Sequence, residues 1–391
     1  MKILYYSPHP QLSLNAPTGY GTHMREMISA FRKRGIEVKT LIAGDVFAQQ
    51  NYGESRPSKF GFLKQIIPAK IWETIKDYQL IRFDKNLEQR LEHQIKYFQP
   101  DFIYERVAYL QNSGVKLASK FGIKHISEIN APYPEERVYF SGKSFFENQA
   151  KDIEREILVK SDLITTVSSD LKTHLEKKLT NIDAKIIVIP NSVNPSETTH
   201  TKERVNEIKT SHKLQDKLVI GFVGSIFPYH GVHLMIEAFA KLEGGDEVKL
   251  LIVGDGEALS ELKAQARKLN VLKSCIFTGS VPHREVYAHM ECMHICCMPD
   301  SNWYGSPVKI FEYGLMKKPV IAPNVGPVRD VMKNMDTALL VDRDSESLTR
   351  AFQRLIASEE LRGELAAAWH QKVLLEYTWE SAASKVLKSC I

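Results

Sequence analysis

The feature that most constrains the fold of this chain is an alternation of short apolar segments with segments of helical periodicity. In the first half, strand-like segments such as KILYYS, DFIYER, HISEIN and DLITTVS are bounded by stretches with apolar residues at helical spacing. A second series opens with KLVIGFVGS and continues through VKLLIVGDG, CIFTGSV, HICCMP and ALLV. Strands that alternate with helices form parallel sheets. The pattern therefore predicts an α/β fold with two doubly wound parallel sheets.

Length and a polar interruption indicate where the two sheets separate. The 391 residues exceed what one ordinary core holds and suit two domains of about 150–200 residues each. The stretch from Asn191 to Thr201 turns polar between the two series of strands, and we interpret it as the interdomain linker. Because ligands of doubly wound folds bind at the carboxyl ends of strands, we expect the two domains to face each other across a cleft.

Composition argues against several classes of protein. A hydrophobic content of 43% and a charged content of 25% match a soluble globular protein, without an uncharged apolar run near the ~20 residues of a spanning helix. The apolar run in MKILYYSPHP ends at Pro8, which indicates a first strand rather than a signal peptide, so we expect a cytoplasmic protein. The net charge of +5 favours approach to anionic substrates or membranes, but the missing basic–aromatic runs predict no nucleic-acid partner.

The five cysteines do not indicate a disulfide framework, because their number is odd and the chain is long. Cys292, His294, Cys296 and Cys297 lie close enough in sequence to raise the question of a metal site. ICCMP resembles a buried strand, however, and the paired-ligand spacing of zinc sites is missing. We therefore expect no metal.

One stretch, from Lys59 to Phe83, combines aromatic and aliphatic residues with several lysines. A basic amphipathic helix there would rest on a bilayer, and the protein would then associate peripherally with the inner membrane face. The alternative is a helical pair that packs on the amino-terminal sheet with its lysines in solvent. We favour this alternative from the sequence.

Three strand-to-helix loops carry small residues at points where backbone N–H groups can approach an anion. In NAPTGYGTH, Gly19 and Gly21 precede a helix that we expect to begin at about Thr22. A nicotinamide fingerprint is disfavoured, because neither GYG nor GDG is followed by the third glycine of that motif. The second loop, VGSIFPYHG, contributes Gly224, Ser225 and His230, the last of which we expect to open a helix.

The third loop, SNWYGSPVKIFEY, starts a helix with an unexpected charge. We predict Ser306 as its N-cap and Pro307 as its first residue, so Lys309 occupies the third position, where an acid is usual. If a diphosphate binds the amides from Ser306 to Val308, this lysine becomes its counter-ion. Glu312 lies on the same face and could accept hydrogen bonds from ribose hydroxyls. The alternatives are a lysine in solvent and a simple Lys309–Glu312 pair.

In this order, the segments resemble family 4 of the retaining glycosyltransferases. APTGYGTHMREMISAFRKRGIEV is similar to the family's amino-terminal glycine loop and helix, and HISEINAPYPEER is similar to a segment with a Glu-x-Asn-x-Pro element in one branch. DLITTVSSDLK and IIVIPNSV resemble the segments before the linker. GFVGSIFPYHGVHLMIEAFAKL and LIVGDGEALSELKAQARKL resemble the start of the donor domain, and SPVKIFEYGLMKKPVIAPNVGPVRDVM resembles the donor-binding signature.

This resemblance implies the GT-B fold, a nucleotide-sugar donor, and neither a metal nor another cofactor. It implies transfer of a hexose or related sugar, with retention, from a UDP- or GDP-sugar to a glycan or lipid-linked acceptor. The process would be surface polysaccharide or glycoconjugate biosynthesis. The expected domains are an acceptor-side domain over residues 1–195, a donor domain over 196–373, and a carboxyl-terminal helix over 374–391 that crosses back to the first domain.

One departure from the family pattern concerns the donor sugar. Many members carry Glu, seven residues and then Glu; here the second acid is Glu312, but Tyr304 stands in the position of the first. Contacts to the donor hexose must then come from other groups, such as backbone amides near Gly305. The sequence therefore does not identify the sugar.

Other departures concern the phosphates and the first domain. Ser225 and His230 stand where an arginine and a lysine are common, which leaves Lys309 as the strongest phosphate cation. Ser192 replaces a glycine, and Asn130 replaces a common histidine. Asparagine cannot act as an acid or base, but it can hydrogen-bond the donor sugar.

In the front-face substitution that the resemblance implies, the departing β-phosphate helps to deprotonate the acceptor hydroxyl, so the main chemical demand is to stabilise the diphosphate. Glu128 is either functional or a cap for the following loop, and His23 either touches sugar or phosphate or is a solvated helix-start residue. The catalytic candidates are Lys309, Glu128, Asn130 and His23. The donor-binding candidates are Gly19, Gly21, Gly224, Ser225, His230, Val281, Gly305, Ser306, Pro307, Val308, Lys309 and Glu312.

Two other functions fit the same sequence. A two-domain nucleotide-sugar epimerase shares the fold, and product analysis without an acceptor distinguishes it from a transferase. A non-catalytic nucleotide-sugar-binding protein is compatible with the missing first acid and with Ser225.

Overall fold

The computed structural model describes residues 1–16, 18–46, 67–179, 185–198, 201–243 and 245–390. The chain divides into two compact units. The first unit consists of Met1–Ile189 together with Ala382–Ile391, and the second consists of Pro190–Ser381.

The first unit contains a six-stranded sheet in the order β2-β1-β3-β4-β5-β6, in which every neighbouring pair is parallel. Its strands are β1 (Lys2–Ser7), β2 (Glu37–Ile42), β3 (Phe102–Arg106), β4 (Lys124–Ile129), β5 (Leu163–Thr166) and β6 (Ile186–Val188). The helices between them are α1 (Gly19–Lys33), α2 (Ala69–Phe98), α3 (Ser113–Phe121), α4 (Tyr133–Ser141), α5 (Glu147–Lys160) and α6 (Ser169–Lys178).

The second unit contains another six-stranded parallel sheet, in the order β12-β11-β10-β7-β8-β9. Its strands are β7 (Leu218–Val223), β8 (Val248–Val253), β9 (Cys275–Gly279), β10 (Ile295–Cys297), β11 (Val320–Pro323) and β12 (Leu339–Val341). Its helices are α7 (Lys202–Ser211), α8 (Val232–Ala240), α9 (Leu259–Lys268), α10 (His283–Glu291), α11 (Val308–Leu315), α12 (Gly326–Arg329), α13 (Ser345–Ala357) and α14 (Glu359–Glu376). The last helix, α15 (Trp379–Cys390), starts in this unit, and its residues from Ala382 onward belong to the first.

The burial of the strands explains their sequences. Every residue of β8 is buried, and residues 3–7 of β1 are buried as well. Helices cover both faces of a doubly wound parallel sheet, so its inner strands are apolar runs rather than alternating patterns. The predicted α/β fold with two doubly wound parallel sheets is confirmed.

Two predicted helix starts are wrong. The first helix begins at Gly19 rather than at about Thr22, because the Thr18 side chain caps it and accepts the Gly21 N–H at 3.4 Å. Gly19 and Gly21 therefore form its first turn instead of a preceding loop. In the second unit, His230 ends a short 3-10 turn and α8 begins after it, because Gly231 adopts a left-handed conformation with φ +67°.

The stretch from Lys59 to Phe83 is described only in part. Residues 59–66 lie outside the described residues, and residues 69–83 belong to the 30-residue helix α2. In the part of the chain that the structure describes, no helix combines the length and apolarity needed to cross a membrane.

A buried tryptophan fixes helix α11 in the second unit. Trp369, on α14, is fully buried, and its Nε1–H donates to the Ile310 carbonyl at 2.7 Å. One turn along α11, the Gly314 carbonyl lies 2.8 Å from His370 Nδ1. Since these contacts hold the helix from its carbonyl side, α14 sets the position of the α11 amino terminus.

This packing predicts that Gly314→Ala lowers the free energy of unfolding by about 1–3 kcal/mol, as overpacked cores do. An added Cβ would lie 2.4 Å from Trp369 Nε1, inside contact distance. The measurement is a urea titration followed by tryptophan fluorescence.

The matched control is Gly363→Ala on α14, where an added Cβ meets nothing within 4 Å. It should stabilise the protein by about 0.5–1 kcal/mol, because alanine favours helix over glycine. Equal effects of the two substitutions would contradict this account of the packing.

Candidate functional site

Each sheet reverses its winding between two adjacent strands. In the first unit this switch lies between β1 and β3, and in the second between β7 and β10. At a switch point the two following loops run to opposite faces of the sheet, which leaves a crevice at the carboxyl ends of the strands. The residues that follow these four strands are therefore the first candidates for ligand contacts.

In the second unit, the chain leaves β7 at Gly224, which has φ +138°. This conformation strongly favours glycine. A Cβ at this position would also lie 2.9 Å from Lys309 Nζ. The glycine therefore lets the lysine ammonium approach the backbone at the end of β7.

The start of helix α11 differs from the prediction by one residue. The helix begins at Val308 with Pro307 as its N-cap, and the Pro307 side chain forms no capping hydrogen bond. Ser306 is not the N-cap, because its hydroxyl accepts the Asn191 N–H at 3.0 Å and its carbonyl accepts Asn191 Nδ2–H at 2.5 Å. Lys309 is thus the second helical residue.

The Lys309 ammonium is buried without a hydrogen-bond partner among the described residues. Its Nζ lies 4.3 Å from the centre of the Phe222 ring. Burial lowers the pKa of Lys309 to about 7, although the Glu312 charge opposes this shift. The predicted alternative of a lysine in solvent is therefore wrong. A buried ammonium of this kind can donate strong hydrogen bonds to an anionic ligand.

Glu312 follows on the same helix and is also perturbed. Burial raises the pKa of its carboxyl to about 7, Lys309 opposes the shift, and Glu197 adds to it. The Lys309 and Glu312 charges therefore attract each other, but Glu312 does not accept a hydrogen bond from the Lys309 ammonium. A ligand that offers both an anion and hydroxyl groups would complement them.

His230 lies next to this lysine and is neutral at physiological pH. Burial, followed by the Lys309 charge, lowers the pKa of the imidazole to about 4, while a hydrogen bond to Ser225 opposes the shift. His230 Nδ1 lies 2.6 Å from the Ser225 carbonyl, so the neutral ring carries its proton there and Nε2 is an acceptor. His230 is thus not a phosphate cation in the ligand-free protein.

The other donor-binding candidates are less closely grouped. Ser225 is exposed, and Pro307 has no N–H to offer. The Gly305 N–H donates to Asn302 Oδ1 at 2.6 Å and is already used. Val281 follows the edge strand β9, which is two strands away from β7, or about 10 Å across the sheet. Lys309, Glu312, Gly224 and His230 form the compact part of the predicted set.

In the first unit, Glu128 is the centre of a buried polar cluster at the end of β4. Its carboxylate accepts Tyr104 OH at 2.8 Å and Asn130 Nδ2–H at 2.7 Å. His23 Nε2 lies 3.2 Å away, and Arg106 Nη1 donates to the same carboxylate. The structure thus brings together His23, Glu128 and Asn130 of the predicted catalytic residues.

The electrostatics of this cluster bear on the role of Glu128. Burial alone would raise the pKa of the carboxyl, but the His23 and Arg106 charges and the His23 and Asn130 hydrogen bonds hold it well below its ordinary value. A carboxylate with so low a pKa is a weak base at neutral pH. Glu128 is therefore better suited to orient its partners than to remove a proton.

A cavity of about 840 Å³ opens beside this cluster, and Asn130 and Arg106 are part of its lining. Arg137 also lines the cavity, and its Nη2 lies 2.6 Å from Glu73 Oε2 and 2.9 Å from Asp77 Oδ1. Its Nη1 is buried without a hydrogen-bond partner among the described residues. Rings of Tyr20, Phe83, Tyr109, Tyr133 and Phe140 complete the wall. Charged groups of both signs beside aromatic faces suit a ligand rich in hydroxyl groups.

Several of these residues were missed from the sequence. Arg106 carried a detectable signal, since an arginine at the end of an otherwise apolar strand must find a partner when the strand is buried. Arg137 and Asn191 had none, because their partners Asp77 and Ser306 are 60 and 115 positions away.

The cysteine-rich stretch belongs to the core of the second unit. Cys292, Cys296 and Cys297 are buried, and burial raises the pKa of the Cys296 thiol to about 12. His294 Nδ1 accepts the Val219 N–H at 3.1 Å. Within the described ranges, no three His, Cys, Asp or Glu side chains are arranged to hold a metal ion.

Two family models match consecutive parts of this chain. The model described as Glycosyltransferase Family 4 matches residues 17–197, and the one described as Glycosyl transferases group 1 matches residues 204–372. Both halves of the chain match glycosyltransferase domains. The matches support the family 4, GT-B assignment that the sequence resemblance predicts.

Curated relatives align with only part of the chain. The 2-deoxystreptamine glucosyltransferase of Streptomyces kanamyceticus is 29% identical over 193 residues, which are 48% of this chain and 49% of that protein. The GDP-mannose-dependent alpha-(1-6)-phosphatidylinositol monomannoside mannosyltransferase of Mycobacterium tuberculosis is 23% identical over 245 residues, 61% of this chain and 63% of that protein. The chain thus spans about half to less than two thirds of the length of these relatives.

Solved structures match over the whole length. Anabaena HepE in complex with UDP superimposes with a TM-score of 0.73 at 15% identity, and the match covers 99% of each chain. Another structure of HepE contains UDP-glucose and gives a TM-score of 0.70. At this identity the likeness shows the fold, which is the two-domain α/β fold of the GT-B type.

The buried ammonium predicts an unusual effect on stability. Lys309→Met should raise the free energy of unfolding of the ligand-free protein by about 1–4 kcal/mol at pH 7, because an apolar side chain of similar length replaces a buried charge. The pKa of Lys309 is about 7 in the folded protein, against an ordinary value of 10.5. Between these values the unfolded chain binds more protons, so wild-type stability rises with pH and the advantage of methionine shrinks.

Urea titrations at about pH 7 and about pH 10 measure this difference. The control is Lys268→Met on α9, where the lysine is exposed and the substitution should change stability little at either pH. A Lys309→Met protein less stable than the wild type at pH 7 would contradict the burial of a costly charge.

Proposed function

We propose that the protein is a retaining glycosyltransferase that moves a sugar from a UDP- or GDP-sugar to a glycan or lipid-linked acceptor. The observation that carries this proposal is the Lys309 ammonium, which is buried beside the amino terminus of α11 and finds no hydrogen-bond partner in the part of the chain that the structure describes. The glycosyltransferase matches over both halves of the chain support it.

The second unit supplies a site for the diphosphate of the donor. The first N–H groups of a helix have no partners within the helix, so those of Val308 and Lys309 can point at an anion. The lysine ammonium adds a full positive charge at the same end. Glu312 then accepts hydrogen bonds from the ribose hydroxyls.

During transfer, the bond between the anomeric carbon and a β-phosphate oxygen breaks, and the electron pair of that bond stays on the diphosphate. Lys309 and the α11 amides stabilise the charge as it develops, which is where preorganised donors accelerate reactions most. In the front-face reaction, the same phosphate removes the acceptor proton, so the acceptor oxygen bonds to the face that the diphosphate leaves. This reaction retains the anomeric configuration and needs no metal.

Diphosphate binding also changes the protonation of Lys309. An anion beside Lys309 raises the pKa of the ammonium from about 7, so the lysine is fully charged in the complex. The bound anion thereby offsets the free-energy cost of the buried ammonium, and this gain strengthens donor binding.

The cavity of the first unit is the proposed acceptor site. Arg137 Nη1, together with the Glu73 and Asp77 carboxylates, offers both donors and acceptors to hydroxyl groups. Asn130 contributes to the same lining, while Glu128 holds it in place at 2.7 Å. In this proposal His23 and Glu128 orient the cluster rather than transfer protons.

The nucleotide and the pathway are part of the proposal. UDP is supported by the Anabaena HepE complexes, and GDP by the GDP-mannose dependence of the mycobacterial relative. We propose surface polysaccharide or glycoconjugate biosynthesis in the cytoplasm as its setting. The buried Tyr304, which stands in place of an acid, leaves the sugar to be identified by experiment.

The first test is a thermal-shift screen of UDP, GDP, ADP and their sugars. A ligand at 100 times its Kd stabilises the folded protein by about 2.7 kcal/mol, which gives a measurable rise in Tm. Transfer assays with the best donor should show that Lys309→Ala lowers kcat about 100- to 1,000-fold, as loss of a transition-state donor does. Glu312→Ala should mainly raise KM.

The matched control for both substitutions is Lys268→Ala, which removes an exposed lysine of the same unit. It should leave kcat and KM unchanged. If Lys309→Ala and Glu312→Ala transferred sugar like the wild type, the donor site would lie elsewhere.

A further inference from the structure

The first half of α2 has an inverted distribution of polar and apolar residues. Its acids Glu73, Asp77 and Asp84 are buried. Residues 71, 75, 78, 82 and 85 are exposed instead, and this spacing places them on one stripe of the helix. The stripe carries the side chains Ile71, Ile75, Tyr78, Arg82 and Lys85.

The inward acids are held by specific partners. Glu73 accepts Lys76 at 2.9 Å and Arg137 at 2.6 Å, and these hydrogen bonds outweigh burial to keep its pKa below the ordinary value. Asp84 accepts the backbone N–H groups of Asn112 and Ser113 at 3.0 and 3.1 Å. Since these contacts fix the rotation of the helix, the stripe with Ile71, Ile75 and Tyr78 must face outward.

A second exposed group of aromatic residues adjoins this stripe. Tyr139 at the end of α4 is 82% exposed and Phe145 is 67% exposed. The Phe145 N–H donates to Thr74 Oγ1 on α2 at 3.1 Å, and Lys70 Nζ lies 4.1 Å from the Phe145 ring centre. The two groups thus form one continuous surface, which we call the α2–α4 face.

The charge of the α2–α4 face has one sign. Residues 69–85 and 139–145, both described in full, expose no carboxylate. Their exposed charged side chains are Lys70, Lys76, Arg82, Lys85 and Lys143. Of these, Lys76 is paired with Glu73 and points away from the stripe by its helical spacing, so Lys70, Arg82, Lys85 and Lys143 give the face its positive charge.

Exposed aliphatic and aromatic side chains together with an excess of positive charge match the chemistry of an anionic bilayer surface. Apolar side chains enter the boundary between headgroups and acyl chains, and lysine and arginine attract anionic lipids. We propose that the α2–α4 face docks the protein on membranes that contain anionic lipids.

The same face adjoins the cavity of the first unit. Gln79 follows Tyr78 of the stripe, and the Phe140 ring centre lies 4.9 Å from that of Tyr139. Both side chains are exposed and also line the cavity. If the cavity holds the acceptor, which rests on the proposed function, docking brings its mouth to the lipid headgroups. The acceptor is then a lipid-linked glycan or glycolipid rather than a free sugar.

Vesicle co-sedimentation tests the docking directly. The full-length protein is mixed with vesicles of phosphatidylcholine alone, or of phosphatidylcholine with phosphatidylglycerol. We expect binding only to the anionic vesicles, and weaker binding as salt is raised. Arg82→Glu/Lys85→Glu should lower the partition coefficient at least about 25-fold, since each basic residue near such a surface contributes about five-fold.

Ile71→Gln/Ile75→Gln should weaken binding at least about ten-fold by removing apolar contact with the bilayer, while glutamine preserves helix propensity. The control for the apolar pair is Tyr97→Gln, an exposed aromatic at the far end of α2. The control for the charge pair is Arg267→Glu/Lys268→Glu on α9. Both controls should bind like the wild type, and circular dichroism should confirm that all variants fold.

Failure of wild-type protein to bind anionic vesicles would overturn the proposal, as would equal losses in the controls. If the wild type is a dimer that Ile71→Gln/Ile75→Gln converts to a monomer, and vesicle binding is absent, the face is a contact between two copies instead. Calorimetric titration of the same preparations with UDP reports on the donor site independently. A protein that binds UDP but no vesicles would refute the docking alone.

Discussion

The winding of the two parallel sheets determines where the two candidate ligand sites of this protein lie. Parallel strands need right-handed crossovers, so the helices before and after a switch point lie on opposite faces, and the loops between them diverge. The switches lie between β1 and β3 and between β7 and β10. The Glu128 cluster and its cavity adjoin the first switch, and Gly224 and Lys309 meet at the second.

At the second switch, the surrounding structure holds a buried ammonium in place at a cost in folding stability. Trp369 holds α11 through the Ile310 carbonyl, and Asn191 holds the residue before its start through Ser306. The Lys309 ammonium is thereby kept against Phe222, where none of the described residues forms a hydrogen bond with it. A buried charge without a partner lowers stability, and such sites persist where a ligand supplies the missing partner.

The alternation of apolar segments was sufficient to predict the parallel sheets, because a strand covered on both faces must be apolar along its length. Glycine was also informative. Gly224 was a candidate because it follows a predicted strand, and its φ of +138° shows that this position needs a glycine. Lys309 and Glu312 are three positions apart on one helix, so their proximity was predictable from the spacing. Their role in donor binding remains a prediction.

What the sequence could not predict depends on partners that are distant along the chain. Ser306 has the ideal residue type for an N-cap, yet its hydroxyl accepts a hydrogen bond from Asn191. The composition of α2 suggested either a membrane helix or a packed one, and only the Arg137 contacts to Glu73 and Asp77 reveal which face points inward. An arginine at the end of a buried strand signals that Arg106 needs a partner, but the sequence does not show that this partner is Glu128 on the next strand.

The central claim is that Lys309 is partly neutral in the free protein and becomes fully charged when a diphosphate binds. Calorimetric titration with UDP at about pH 8, in two buffers of different ionisation enthalpy, measures the protons taken up. With a pKa of about 7 before binding, the wild type should take up protons, and Lys309→Met should take up clearly fewer. Binding without proton uptake, or the same uptake in the variant, would contradict the account.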